Sequence, residues 1–233
     1  MAANKPREIR VTPKAKARAL KLADALRRRY PEAHCELVFH SPFELLIATI
    51  LSAQTTDVAV NKVTPALFVR YPDAAALARA TPEELEPLLR TIGLFRNKAK
   101  SIQGAASMIV SDFGGEVPAS LEELIKLPGV ARKTANVVLG NAFGINAGFV
   151  VDTHIQRLAV RFGLASEGDD VGTIERKLMA LLPQDRWCEL SHQIIWHGRR
   201  VCKARGGTCA QDSICREFGC PGARRGKRPE RQA

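Results

Sequence analysis

A lysine, an aspartate and four cysteines have the types and spacing to do chemistry in this sequence. Lys133 follows Pro128-Gly129-Val130-Ala131-Arg132, a glycine turn that runs straight into a stretch with helical spacing. A lysine in the first helical turn stands near the positive helix end and here also beside Arg132. Such surroundings favour the unprotonated amine, which is the nucleophile that forms Schiff bases. The plain alternative is a lysine that binds phosphate or is simply solvated. Asp152 lies between Val150-Val151 and Thr153-His154-Ile155, the position of a helix N-cap. A carboxylate there can cap the helix. It can also stabilise a developing positive charge or help deprotonate an attacking amine.

Cys202, Cys209, Cys215 and Cys220 have the pattern C-x6-C-x5-C-x4-C. Four thiolates at loop spacings bind either a [4Fe–4S] cluster or Zn²⁺, and spacing alone does not separate the two. The opening MAANKPREIRVTPKAKARALK is basic and lacks the apolar region of a secretory signal. No run approaches the roughly 18 apolar residues of a membrane span. A cytoplasmic, reduced setting is expected, with no membrane partner, and clustered cysteines there indicate metal chemistry more than disulfides. Cys35 and Cys188 read as buried or incidental thiols. With 35 Lys and Arg against 24 Asp and Glu, the formal net charge is +11. That balance suits a polyanionic partner such as nucleic acid, though a generally basic soluble protein fits it too.

The elements that must position these residues are helices. Ser41-Pro42-Phe43-Glu44, Thr81-Pro82-Glu83-Glu84 and Ser120-Leu121-Glu122-Glu123 each read as a capping box, two of them with proline at the first helical position. Pro87 falls inside the second of these helices and is expected to kink or split it. Gly93, Gly129, Gly144 and Gly163 each follow an apolar-periodic run, where helices end. Ile155, Leu158, Ala159 and Phe162 share one face, as do Ile174, Leu178, Leu181 and Leu182, and Trp187, Leu190, Ile194 and Ile195. The one strand-like stretch is residues 36–39, so the fold class is all-α. The first 22 residues hold seven Lys or Arg against one Glu, and residues 223–233 hold five against one. Both tails are expected to be basic and partly disordered.

The most informative stretch is LPGVARKTANVVLGNAFG, residues 127–144. A tight turn opening onto a helix start presents unpaired backbone N–H groups, and with the helix dipole these suit a phosphate. Such a contact positions DNA without choosing bases. This segment resembles the helix-hairpin-helix of the base-excision glycosylases. VDTHIQRLAVRFG, from Val151, resembles the segment that carries their catalytic aspartate. SPFELLIATILSAQTTDVAVNKV, from Ser41, and TIGLFRNKAKSI, from Thr91, resemble two DNA-facing segments in the same order. Together they run from about Ser41 to Cys202, and the chain is identified on them as resembling the endonuclease III family of DNA glycosylase/AP lyases.

That resemblance implies two helical lobes with DNA bound across their groove. One lobe is a bundle of residues 35–144 with the hairpin. The other combines residues 1–34 with 145–233 and the cysteine loop, and Lys133 and Asp152 are expected to face each other where the lobes meet. The implied catalytic pair is Lys133, attacking C1′ of a flipped nucleotide, and Asp152. The implied DNA-binding residues are Leu127, Gly129, Ala131 and Arg132 of the hairpin, with His154 near the catalytic site. Gln54 would fill the gap left by the extruded base, and Leu94 would wedge the opposite strand. For Gln54 an exposed loop role, for Leu94 a helix-end core contact and for His154 a structural hydrogen bond are the alternatives. The family hairpin has glycine where Ala131 stands, and a positive φ there would cost alanine about 1 kcal/mol.

The resemblance favours [4Fe–4S] over zinc, because many relatives place the cluster after an HGR-x-x-C segment, here His197-Gly198-Arg199-Arg200-Val201-Cys202. The usual family spacing, C-x6-C-x2-C-x5-C, would put Asp212 third and Phe218 fourth, so Cys215 and Cys220 complete the set only if the loop is rethreaded. Such a loop would present Lys203, Arg205 and Arg216 to phosphates. The implied partner is double-stranded DNA with damaged bases or abasic sites, met by a nucleoid-associated monomer, and the implied substrates are oxidised pyrimidines such as thymine glycol. The rival readings are a monofunctional mismatch adenine glycosylase, which needs no lysine at 133, and a DNA-binding module without activity.

Overall fold

The computed structural model describes residues 9–220, and every regular element among them is helical. They form two compact units. One is Cys35–Ala147, and the other is built from the described residues of Met1–His34 and Gly148–Ala233.

Within Cys35–Ala147 the central element is α2 (Pro42–Leu51), with Ser41 accepting from Glu44 N–H at its start. Phe43 and the whole run from Leu45 to Leu51 are buried. Each large apolar side chain so buried contributes about 1.5–3 kcal/mol relative to exposure. Around it lie α3 (Asp57–Arg70), α4 (Ala74–Ala78), α5 (Pro82–Leu89), α6 (Phe95–Asp112), α7 (Leu121–Leu124) and α8 (Arg132–Ala142). Of these, α3, α6 and α8 pack directly on α2.

In the other unit α1 (Pro13–Arg29), α9 (Thr153–Arg161), α10 (Val171–Leu181), α11 (Trp187–Arg200) and α12 (Ser213–Glu217) enclose a second core. The expected stripes supply it: Ile155, Leu158, Phe162, Ile174, Leu178, Trp187, Leu190 and Ile194 are all buried.

Several expectations are corrected. The capping box at Thr81 forms in full, but that at Ser120 does not, because the Ser120 hydroxyl turns to Glu122 Oε2, 3.1 Å away. Pro87 does not split its helix, and α5 runs on to Leu89. Residues 36–39 form no strand. Their backbone is paired instead by the Asn61 side-chain amide, which donates to Glu36 C=O at 2.8 Å and accepts from Val38 N–H at 3.0 Å. The basic N-terminal segment is helical from Pro13, with Ala19 and Leu22 buried. The rest of the expected tail disorder, at residues 1–8 and 223–233, lies outside the described residues.

Candidate active site and metal centre

The hairpin turn is built by Gly129, at φ 78°. An added Cβ there would stand 2.9 Å from Ser101 Cβ and 3.1 Å from Ile50 Cγ2, so the turn demands glycine for both conformation and space. Leu127 sends its side chain into the core, 2% exposed, and its carbonyl accepts from Val130 N–H at 3.1 Å. Ala131 is the N-cap of α8, with φ −89° and ψ 168°. That is extended backbone any residue adopts, so alanine carries no strain there. Ala131 offers no side-chain cap to α8, whose first turn carries the exposed Arg132 and Lys133.

Gln54 and Leu94 belong to the same unit, and both hold the left-handed conformation, with φ 54° and 58°. They are the only described non-glycine residues to do so. A side chain bearing Cβ costs about 1–2 kcal/mol there, and such strain tends to gather at functional positions. Gly93, next to Leu94, would adopt it without cost but does not. Leu94 is 55% exposed, which removes the core-contact reading.

In the other unit Asp152 is the N-cap of α9, its Oδ1 accepting from Ile155 N–H at 2.8 Å. The cap engages one carboxylate oxygen. His154, half-buried, accepts at Nδ1 from Arg157, 3.2 Å away, and packs near Gly198. That contact fits a structural part for the ring.

Cys202, Cys209, Cys215 and Cys220 are all buried, and their sulfur atoms lie within 4.8 Å of one another. Cys215 and Cys220 thus join Cys202 and Cys209 in one group of four. Asp212, where the family pattern has a cysteine, caps α12 by accepting from Cys215 N–H at 2.9 Å and so fixes the helix that carries Cys215. Arg161 donates to Cys202 Sγ at 3.2 Å and to Lys203 C=O at 2.8 Å. Arg157 donates to the carbonyls of Gly198 and Cys202 at 3.0 and 3.1 Å. His197, fully buried, stands with Nε2 3.3 Å from Cys215 Sγ and Nδ1 3.0 Å from the Tyr30 hydroxyl. Hydrogen bonds from Cys215 and then Arg161 draw the Cys202 thiol down to about 4 against the cost of burial. Burial first, then the neighbouring Cys202, pushes Cys209 up to about 12, and Cys202 also pushes Cys215 up. Four thiolates this close ionise together only around a cationic centre, and the donor set fits one. Cys35 and Cys188 stand apart, half-buried.

Residues 47–184 match the model of the HhH-GPD superfamily of base excision DNA repair proteins. The chain is 55% identical to the endonuclease III of Synechocystis sp. over 89% of its own length and 94% of the relative's. It is 46% identical to that of Bacillus subtilis, over 83% and 90%. The chain belongs to the endonuclease III family. A solved structure described as a trapped covalent endonuclease III–DNA intermediate superposes with a TM-score of 0.86 at 42% identity, covering 94% of this chain and 100% of that one. As an endonuclease III family member the protein is a base excision repair DNA glycosylase and lyase. No described helix is long and apolar enough to cross a membrane.

Sequence reasoning missed several residues around these endonuclease III features. Arg157 and Arg161 grip the cysteine loop from α9, and their i, i+4 spacing was a readable sign of a shared face. The Tyr30–His197 pair joins residues far apart in the chain and had no local signal. Lys98 is 5% exposed, and its Nζ donates to Thr55 Oγ1 at 2.5 Å, a contact that a charged residue in a basic run does not announce.

Proposed function

We propose that this chain is a bifunctional glycosylase/AP lyase for oxidised pyrimidines such as thymine glycol, with Lys133 as nucleophile and Asp152 as its charged partner. The observation that carries this reading is Lys133 itself, exposed in the uncapped first turn of the hairpin helix. It is supported by membership of a family with a solved relative trapped covalently on DNA. The amine, having lost a proton to water, attacks C1′ of the extruded deoxyribose. The C1′–N bond breaks and the base leaves with its electron pair and takes up a proton. The sugar opens to an iminium, which acidifies the C2′ hydrogens. Loss of one of them drives β-elimination, in which the C3′–O bond breaks and the 3′ phosphate departs. Asp152 stabilises the positive charge on the sugar as the base leaves.

The backbone amides that open α8, with Arg132, hold a phosphate of the same strand. Gln54 fills the gap and Leu94 wedges the opposite strand. The protein acts as a monomer on damaged duplex DNA of the nucleoid, in the cytoplasm.

Cys202, Cys209, Cys215 and Cys220 hold a [4Fe–4S] cluster, which when bound cross-links a loop too short to build a core. The same loop presents Lys203, Arg205 and Arg216 to phosphates. One observation favours a second reading, zinc. Thiolates around one zinc ion stand about 3.8 Å apart, given bonds near 2.3 Å, and Cys202 and Cys220 Sγ are 3.6 Å apart. Iron, sulfide and zinc content of the purified protein decides between them.

The catalytic reading is tested on a panel of lesion duplexes at fixed salt, scored separately for released base and nicked strand. Wild type should release thymine glycol and nick together, and Lys133→Gln should do neither. Base release without nicking by wild type would make the enzyme monofunctional. Binding without release would make it a DNA-binding module.

A further inference from the structure

The two residues with left-handed backbone in the Cys35–Ala147 unit, Gln54 and Leu94, sit at separate places in the chain, and one buried residue joins them. Gln54 lies between α2 and α3, while Leu94 begins α6. Lys98, in the first turn of α6, donates its backbone N–H to the Leu94 carbonyl at 3.0 Å. Its Nζ crosses to Thr55 Oγ1, 2.5 Å away and next to Gln54 in the chain. Thr55 is itself anchored in its loop, its N–H donating to the Ser52 carbonyl at 3.0 Å and its hydroxyl to the Ala53 carbonyl at 3.4 Å. The lysine is 5% exposed, an unusual place for this side chain. Burial alone draws its amine below the usual lysine range, with no carboxylate offsetting it. A desolvated amine needs a hydrogen-bond partner, and the partner here is the hydroxyl beside the residue assigned to fill the DNA gap.

We propose that Lys98 is a positioning residue which, by holding Thr55, locks the Gln54 loop to the start of α6, so that gap filling and strand wedging occur as one step. The inference rests on the reading of Gln54 and Leu94 as the DNA-probing pair. Left-handed backbone at residues with Cβ persists where the surroundings over-determine it. Linking the two loops lets one binding event set both side chains, which removes a separate ordering cost for each. The Leu94 carbonyl and the Thr55 hydroxyl are held by the same residue, so a shift of either loop is felt by the other.

The experiment is stopped-flow fluorescence of a duplex carrying 2-aminopurine beside an abasic-site analogue, whose signal rises on extrusion. Thr55→Val removes the acceptor with little change of shape, and Lys98→Met removes the donor. Each should slow extrusion about tenfold, the loss expected for a half-buried hydrogen bond from an amine. The double variant should be no slower than either alone, as for residues acting through one contact. Thr55→Ser, which restores the hydroxyl, should recover the rate, whereas a merely structural site would respond to the lost methyl as well. Thermal melting of Thr55→Val at the wild-type temperature separates a lost tie from a lost fold. Extrusion unchanged in Thr55→Val, Thr55→Ser as slow as Thr55→Val, or effects that multiply in the double variant would each overturn the tie. Gln54→Ala and Leu94→Ala run in parallel. If both leave extrusion unchanged, the probing assignment itself fails; if both slow it while Thr55→Val does not, only the Lys98 tie fails.

Discussion

Gly129→Ala is a single methyl placed where the hairpin has no room for it. Gly129 holds φ 78°, and moving an L-residue into that region costs about 1–2 kcal/mol. The new Cβ would also lie 2.9 Å from Ser101 Cβ and 3.1 Å from Ile50 Cγ2. Ile50 is 3% exposed at the end of the central helix, so it cannot swing away, and overpacking of this kind costs about 1–3 kcal/mol. The sum is roughly 2–5 kcal/mol. For a chain of this length that corresponds to a fall in melting temperature of roughly 5–15 °C. Ala131→Gly is the paired control. Ala131 is extended, at φ −89°, so glycine relieves nothing there and loosens the unfolded chain, for a loss of under about 1 kcal/mol. Circular dichroism melting reads both variants, and the salt dependence of binding to an abasic duplex reads the phosphate grip. A Gly129→Ala protein that melts with wild type, or an Ala131→Gly protein that gains stability and binds more tightly, would refute this account of the turn.

Leu94→Gly should raise the melting temperature slightly, because glycine takes φ 58° without the cost of about 1 kcal/mol that leucine bears. The same variant should lose base excision from duplex DNA, and parallel melting and excision assays check both. Cys215→Ser and Cys220→Ser should each lower the bound metal content of the purified protein, measured by elemental analysis, since both sulfurs belong to the buried group of four. Asp212→Ala should lower the melting temperature through loss of the α12 cap, worth about 1 kcal/mol, whereas Asp212→Asn should largely restore it.

Much of this was legible in the residues because it is local. A Ser, Thr or Asp followed by a helical apolar stripe announces its helix start, as at Ser41, Thr81 and Asp152. The stripes on α9, α10 and α11 are buried as their spacing requires. The hairpin was readable for the same reason, since a glycine turn feeding a helix is a short-range pattern. What depends on packing was not. The left-handed residue at the start of α6 is Leu94 although a glycine stands beside it, and only the surrounding fold makes that choice. The Ser120 hydroxyl bonds the Glu122 carboxylate instead of capping, which the capping-box pattern does not announce. The cysteine spacing announced a group of four thiols, but that Asp212 caps the helix presenting Cys215 came only from the three-dimensional path of the loop. Lys98 illustrates the limit best, a charge in a basic run that is nonetheless buried against Thr55.

The part assigned to Lys133 is tested most directly by borohydride reduction during reaction with DNA that holds an abasic site, followed by peptide mapping of the product. A stable protein–DNA adduct on the peptide containing Lys133, absent from Lys133→Gln and strongly reduced in Asp152→Asn, is the expected result. An adduct formed in full yield by Lys133→Gln, or located on another amine, would contradict the assignment.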